Sequence, residues 1–238
     1  MRPGSPLNDR HVVYDYTPTK HGTGPAAYVA DFKGVFLADG GSEFNEAVRR
    51  MGLIRAGCWC HARRYFFDAK EHSPALAAEA LKKIGVLFDI ERAIAGADLE
   101  TRQRVRGTDT RAALDDIKTW LVQHVHRQRP KSPLGQAMNY PLNQWAFLEV
   151  CVTHPEIPIH NNLSELQLRL PVVGRKNWLF AGSEGGAATA ATLFSVIGSC
   201  RLYRLDPWEY LVSLLGRIND HSVARLSGLT PAAYAASK

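Results

Sequence analysis

The chain lacks three features that would have narrowed its class at once. It has no uninterrupted apolar run near the roughly 20 residues that a bilayer requires, so no membrane association is expected. Its first ten residues are polar, broken by Pro3 and Pro6, with no apolar signal core. A disordered start over residues 1–10 and no secretion signal are expected. Cysteine is scarce: Cys58, Cys60, Cys151 and Cys200 are the only four. Cys58-Trp59-Cys60-His61 invites a zinc reading, but a structural zinc site takes a second matching pair, and Cys151 and Cys200 stand alone. No zinc is expected, and the cysteines read as reduced, mostly buried thiols of a cytoplasmic protein. Internal repeats and low-complexity segments are also missing.

What is present is a 238-residue chain, 45% hydrophobic and 22% charged, enough to bury a substantial core. Its net charge is +6, with a pI of about 9.2. That excess favours a polyanionic partner. The arginines cluster at Arg49-Arg50, Arg63-Arg64, Arg102-Arg104-Arg106 and Arg127-Arg129. Guanidinium forks match phosphate oxygens; solvated helix faces are the other reading of the same clusters.

The order of elements suggests an α/β core followed by helices. His11–Tyr16 alternates and is β-branched or aromatic, which predicts a strand ended by Thr17-Pro18. Pro25–Phe32 suits a short helix, and Gly34–Ala38 a buried strand stopped by Asp39-Gly40-Gly41. A helix over Ser42–Met51 and a strand over Leu53–Cys58 follow. From His61 to His154 three apolar stripes mark packed helices: Leu76, Ala80, Ile84, Leu87 and Phe88; Ala113, Ile117, Trp120 and Leu121; and Leu142, Trp145, Leu148 and Val152. Gly107-Thr108 and Arg129–Pro133 read as the breaks between them. Ala187–Tyr203 is helical, and Asp206-Pro207-Trp208-Glu209 is a helix start with cap, Pro and acid in place. Thr230-Pro231 opens a last short helix.

The chemistry-bearing stretch is Ile157–Ser183. It sets His160-Asn161-Asn162 and Glu165 before the cationic, aromatic block Gly174-Arg175-Lys176-Asn177-Trp178-Leu179-Phe180-Ala181-Gly182-Ser183. A carboxylate beside phosphate-directed groups suits a metal site that processes nucleic acid, where two divalent cations activate one oxygen and stabilise another. Asp39, at the end of an apolar strand, fits one ligand position, and Glu165, on a helix, fits another. Asp39-Gly40-Gly41 is equally ordinary turn chemistry. Asn162-Leu163-Ser164-Glu165 is equally a capping box, and Glu165 and Arg169 have the spacing of a helix-surface pair. His61 and His160 offer general-base or ligand chemistry, with packing as the alternative. Trp178 and Phe180 read as core residues rather than base-stacking ones.

Four motifs occur in order: Ala38-Asp39-Gly40; Cys58-Trp59-Cys60-His61-Ala62-Arg63-Arg64; Asn161-Asn162-x-x-Glu165; and the Gly174–Ser183 block. Asp206-Pro207-x-x-Tyr210-Leu211 follows. Together they resemble the insertion-sequence 66 transposases, a bacterial DDE-type family, from about His11 to Tyr234. The resemblance implies a ribonuclease-H-like core interrupted by a helical insertion. It implies DNA cleavage and strand transfer at element ends, using magnesium or manganese held by Asp, Asp and Glu. By motif position Asp39 is the second Asp and Glu165 the Glu, so both are expected as catalytic metal ligands. Arg63, Arg64, Arg175, Lys176, Asn161 and Asn162 are expected to meet DNA.

On this basis the expected organisation is a disordered 1–10; a partial ribonuclease-H-like α/β core over 11–70, missing its first strands; and a helical insertion over 71–155. The last-acid helix and basic block would complete the core over 156–186, with a helical C-terminal segment over 187–238. Two departures accompany the likeness. No residue here matches the family's first Asp, since Asp15 lies on what corresponds to a later strand. His160 and Leu166 replace an Asp and an Arg usual at those positions. The expectation is therefore an N-terminally truncated, cytoplasmic, nucleoid-associated protein, not competent for catalysis alone, partnered by element-end DNA and by a full-length transposase or accessory element proteins. The alternative is a non-enzymatic DNA-binding remnant or the product of a decayed reading frame. Losing the first strands would also leave a sheet edge open.

Overall fold

The structure, a computed structural model, describes residues 10–19, 32–41 and 43–238. The chain divides into two compact units, residues 25–162, and residues 163–238 together with the N-terminal 1–24. The helix expected over Pro25–Phe32 lies, apart from Phe32, outside the described residues. So does most of the disordered start expected over 1–10.

Among the described residues of 25–162 the order is first β1 (Val35–Leu37), α1 (Glu43–Met51), β2 (Ile54–Ala56). The two strands are parallel, with Val35 opposite Ile54 and Leu37 opposite Ala56. The ladder is lengthened at both ends, where Ile54 N–H donates to Gly34 O and Ala38 N–H to Ala56 O, each at 3.1 Å. A parallel pair needs a crossover, and α1 is that crossover. Gly52, at φ +62°, turns the chain out of α1 into β2 without a Cβ penalty.

Then comes the helical body: α2 (Trp59–Asp68), α3 (Pro74–Ala93), α4 (Leu99–Val105), α5 (Arg111–Val125), α6 (Pro133–Asn143), α7 (Trp145–Leu148) and α8 (Val150–Thr153). The three stripes read from sequence converge on one core. Trp59, Phe66, Ile84, Leu87, Leu114, Leu121, Met138 and Leu148 are all essentially sealed from solvent. Trp59 meets Trp145 edge-on at 5.9 Å and donates its indole N–H to Leu148 O at 3.1 Å, so the one polar atom of this buried ring is satisfied.

The break expected at Gly107-Thr108 is not a break. Residues Arg106–Thr110 form a π-helical turn continuous with α4 and α5, and the chain reverses earlier, between Ala93 and Leu99. The reason is Arg106. Its side chain is fully buried and grips Glu91 of α3 through two bonds, at 2.8 and 2.6 Å. It also donates to the carbonyls of Cys151, His154 and Ile157. A wide helical turn that keeps this charge satisfied on all sides outweighs the weak helix preference of Gly107. The break at Arg129–Pro133 stands as expected: Ser132 caps α6 by accepting from Gly135 N–H at 3.1 Å, with Pro133 at the first helical position.

Residues 163–238 hold α9 (which opens at Asn162 and runs to Trp178), α10 (Glu184–Leu202), α11 (Pro207–Leu215) and α12 (Pro231–Ala236). Asp206 caps α11 as the sequence indicated, accepting from the N–H groups of Trp208 at 2.7 Å and Glu209 at 3.1 Å. Thr230 caps α12 through Ala233 N–H. Tyr210 sends its buried hydroxyl to Leu229 O, tying α11 to the turn before α12.

The strand expected over His11–Tyr16 is extended, but it pairs with no strand among the described residues. It lies along α10 instead. Tyr203 OH, Ser199 Oγ and Ser195 Oγ stand one helical turn apart, and each serves one alternate residue of the segment. Arg10 N–H donates to Tyr203 OH and Arg10 O accepts from it, both at 2.8 Å. Val12 repeats the exchange with Ser199, both at 3.1 Å; Tyr14 N–H donates to Ser195 Oγ at 2.8 Å, while that hydroxyl donates to Ala191 O of its own helix at 2.8 Å and lies 3.4 Å from Tyr14 O. Gly198 allows the approach, because a Cβ there would stand 3.0 Å from Val12. The period-two pattern thus reports extended backbone correctly. Its partner is a row of hydroxyls rather than a β-ladder.

The described residues are mostly helical, with one two-stranded parallel sheet. That is compatible with the expected α/β class. No described helix is long and apolar enough to cross a membrane.

Candidate active site

Asp39 sits two residues beyond the end of β1, half-buried, where the ladder has just closed at Ala38. Its Oδ1 accepts the N–H of Gly41 at 3.2 Å, so the residue makes the expected Asx turn just beyond a strand end. Tyr140 of α6 covers the loop from one side. A Cβ on Gly40 would come within 2.8 Å of its ring, so only glycine tolerates this closeness. Burial, and then the charges of Cys58, Asp39 and Tyr65, push the Tyr140 phenol up to about 12, while Gly40 N–H bonds its oxygen. Tyr140 stacks on Tyr65 at 4.7 Å. On another side Arg55 of β2, 4% exposed, reaches the carbonyls of Asp39 and Gly41.

The Cys58–Arg64 motif lies at the N-terminus of α2. Trp59 N–H donates to Ile159 O at 2.9 Å, which brings the His160-Asn161 segment against the helix start. The Cys58 thiol is pushed up to about 12 by a side-chain hydrogen bond with Cys60 and then by burial, opposed by bonds from His61 and from the Asn161 backbone. Cys58 is fully buried at the helix start and packs there as a protonated thiol. His160 stacks on Phe88 with rings 6.2 Å apart and 15° from parallel. Arg63 and Arg64 are both exposed. Asp39, Tyr140, Cys58 and Asn161 thus belong to one neighbourhood of residues 25–162.

Glu165 stands in the first turn of α9, which opens at Asn162. Asn162, expected as the cap, is thus the first residue of the helix, and Asn161 precedes it. Arg175 and Lys176 are exposed in its last turn, where cations complement the helix dipole. Asn162 is exposed as well. Trp178 and Phe180 were expected in the core, and the structure corrects this. Phe180 is 76% exposed, and Trp178 is 49% exposed while stacking on Phe194 at 5.9 Å. The indole folds back over Gly174, where a Cβ would meet its ring at 2.1 Å. The helix stops just beyond, Leu179 taking φ +66°, and so turns Phe180 outward.

Asp39 and Glu165 fall in different units. Among the described residues no three His, Cys, Asp or Glu side chains gather closely enough to hold a metal ion. The donors themselves are carboxylate oxygens, the type that magnesium and manganese take. Two participants escaped sequence reading. Tyr140 carried no signal, lying in a helix read only for its packing. Arg55 carried one: a charged residue inside a short strand otherwise apolar.

Residues 2–189 match the family described as "Transposase IS66 family", and residues 195–232 match "IS66 C-terminal element". Similar curated proteins include three uncharacterized ones from Sinorhizobium fredii: y4hP, 32% identical over 92% of this chain; y4qI, 28% over 91%; and y4jD, 29% over 92%. The chain spans 43%, 42% and 45% of their lengths. No solved structure matches it significantly.

Proposed function

The chain belongs to the IS66 transposase family, and from that premise we propose that it is part of a metal-dependent enzyme cutting and joining DNA at the ends of an insertion element. The observation that carries the reading is the family match over residues 2–189, which runs through both Asp39 and Glu165. In this reading the core is ribonuclease-H-like, with β1 and β2 as two of its parallel strands and residues 71–155 as a helical insertion. Asp39 and Glu165 hold magnesium or manganese, which when bound activates the attacking oxygen and stabilises the leaving one.

The chain's own residues do the rest. Gly41 N–H bonds the Asp39 carboxylate, and Tyr140 covers the adjoining Gly40. Exposed Arg63, Arg64, Arg175 and Lys176 supply phosphate contacts, with Asn161 and Asn162 beside the last acid. Asp39 and Glu165 alone leave two cations short of charge compensation, and a third acid is required. We therefore assign to the described residues DNA engagement and two of three ligands, and not independent catalysis. Activity then depends on a further acidic ligand from another part of a longer protein or from a partner transposase, in the nucleoid.

The test is a cleavage and strand-transfer assay on duplex DNA carrying element ends, with magnesium or manganese, for the chain alone and together with a full-length family transposase. Metal-dependent product lost in both Asp39→Ala and Glu165→Ala supports the reading. DNA binding without product in either mixture supports the non-enzymatic alternative. Binding itself is expected to weaken steeply with salt, because phosphate contacts release counterions.

A further inference from the structure

A glycine pair after a short strand is among the least constrained backbones a chain can carry. Asp39-Gly40-Gly41 is nevertheless tightly engaged. Arg55 Nη2 donates to Asp39 O at 2.7 Å and to Gly41 O at 3.2 Å, so the loop is wrapped around a single nitrogen. Nη1 of the same guanidinium bonds Asn45 Oδ1 of α1. The flat face rests on the Phe147 ring, 4.6 Å from its centroid. The whole side chain is only 4% exposed. A buried cation is costly unless it is bonded, and this one directs two of its described bonds at the main chain on either side of Gly40.

We propose that Arg55 is the positioning residue of the Asp39 loop, holding the carbonyls of residues 39 and 41 so that the Asp39 carboxylate is presented in one orientation. The inference rests on the reading of Asp39 as a metal ligand for its purpose, though not for its geometry. Arginine is needed because three directed bonds and a stacking face must come from one planar head. Lysine has no such fork and no such plane. Tyr140 and Arg55 then act together, one filling the space over Gly40 and the other anchoring the peptides around it.

The test uses the whole chain with Arg55→Met and Arg55→Lys, and reads amide exchange at Gly41 against exchange at buried core amides around Leu121. Arg55→Met is expected to speed exchange at Gly41 by about tenfold or more, the loss of bonds to a charged donor, with the core unchanged. Arg55→Lys is expected to restore part of that protection. Unchanged exchange at Gly41 in a folded Arg55→Met protein overturns the proposal. If that variant does not fold, Asn45→Ala and Phe147→Leu loosen the same head group while leaving it in place. They should raise Gly41 exchange by a smaller factor, and no rise in either again overturns the proposal. Manganese-induced paramagnetic broadening near Asp39, abolished by Asp39→Asn, tests the metal reading separately. With that signal present, Arg55→Met should weaken manganese binding about tenfold, as loss of the charged bonds predicts. With it absent in the unaltered protein, the ligand role of Asp39 falls, and the loop clamp stands or falls on the exchange result.

Discussion

Residues 25–162 and residues 163–238 use similar apolar content to opposite ends. In the first, helices α2 to α8 turn their stripes inward, and the large side chains disappear into one core. In the second, α9 is 17 residues long and buries none of them fully, with Leu166, Leu168 and Val173 each more than half exposed. The contrast shows that hydrophobic spacing alone does not tell a packed helix from a displayed one. The first unit derives its stability from packing and from one buried ion pair. The second relies on caps, a few aromatic contacts and hydroxyl bonds to an extended segment.

That contrast can be broken at its strongest point. Trp59→Ala should cost residues 25–162 about 3–5 kcal/mol in denaturant unfolding, the range for emptying a large buried aromatic site. Arg106→Met should cost about 3 kcal/mol or more, because it strands Glu91, and adding Glu91→Leu should recover much of the loss. Recovery absent from the double variant would show that the three carbonyl bonds of Arg106, rather than its ion pair, hold α3 and the 151–157 segment in place.

Alkali sharpens the same comparison. Cys58 and Tyr140 are held up to about 12, and Cys151 to about 11 by burial, all in residues 25–162. A group whose folded pKa lies above its unfolded value favours the folded state below the unfolded pKa, and that advantage is lost as pH rises through the folded one. Stability of this unit should therefore fall between about pH 9 and pH 12, the window these shifts define. Fluorescence of Trp59, Trp120 and Trp145 reports it. In the other unit Tyr210, also held up to about 12 by burial, and Cys200, raised by burial, give a weaker dependence.

Smaller effects belong to the second unit. Ser199→Ala removes one hydroxyl that both accepts from and donates to Val12, and should cost about 1–3 kcal/mol of the docking of residues 10–16 on α10, read as faster amide exchange at Val12. Leu168→Ala, on the displayed face of α9, should change stability by no more than about 0.5 kcal/mol in the isolated chain. A larger loss would show that this face is covered.

Much of the helical body was legible in sequence, because burial imposes a period. Ile84, Ile117, Trp120, Leu121 and Leu148 were all marked by spacing and all lie in the core. Helix starts were legible for a local reason, since Asp206 and Thr230 each serve N–H groups two or three residues away. The π-helical turn was not, because its cause is Glu91, fifteen residues before Arg106 and on another helix. The resting place of Val12 and Tyr14 was not, since their hydroxyl partners lie more than 180 residues onward. At the candidate site the strand-end position of Asp39 could be read directly. What surrounds it could not, because Tyr140 and Arg55 arrive from a distant helix and from the neighbouring strand.

The hydroxyl row on α10 also limits its own length. Four residues of helix advance about 6.0 Å, whereas two residues of extended chain advance about 6.6 Å. Each rung therefore slips by roughly 0.6 Å, and four residues turn the helix about 40° past a full circle. Tyr203 meets Arg10 with a side chain long enough to absorb part of that drift. At the opposite end the next helical position is Ala191, which has no hydroxyl, and Tyr16 N–H turns to Asp15 Oδ1 instead. Sliding the segment by two residues toward the start of α10 is disfavoured, since it would set Ala191 against Tyr14, whose backbone would then lose its hydroxyl oxygen.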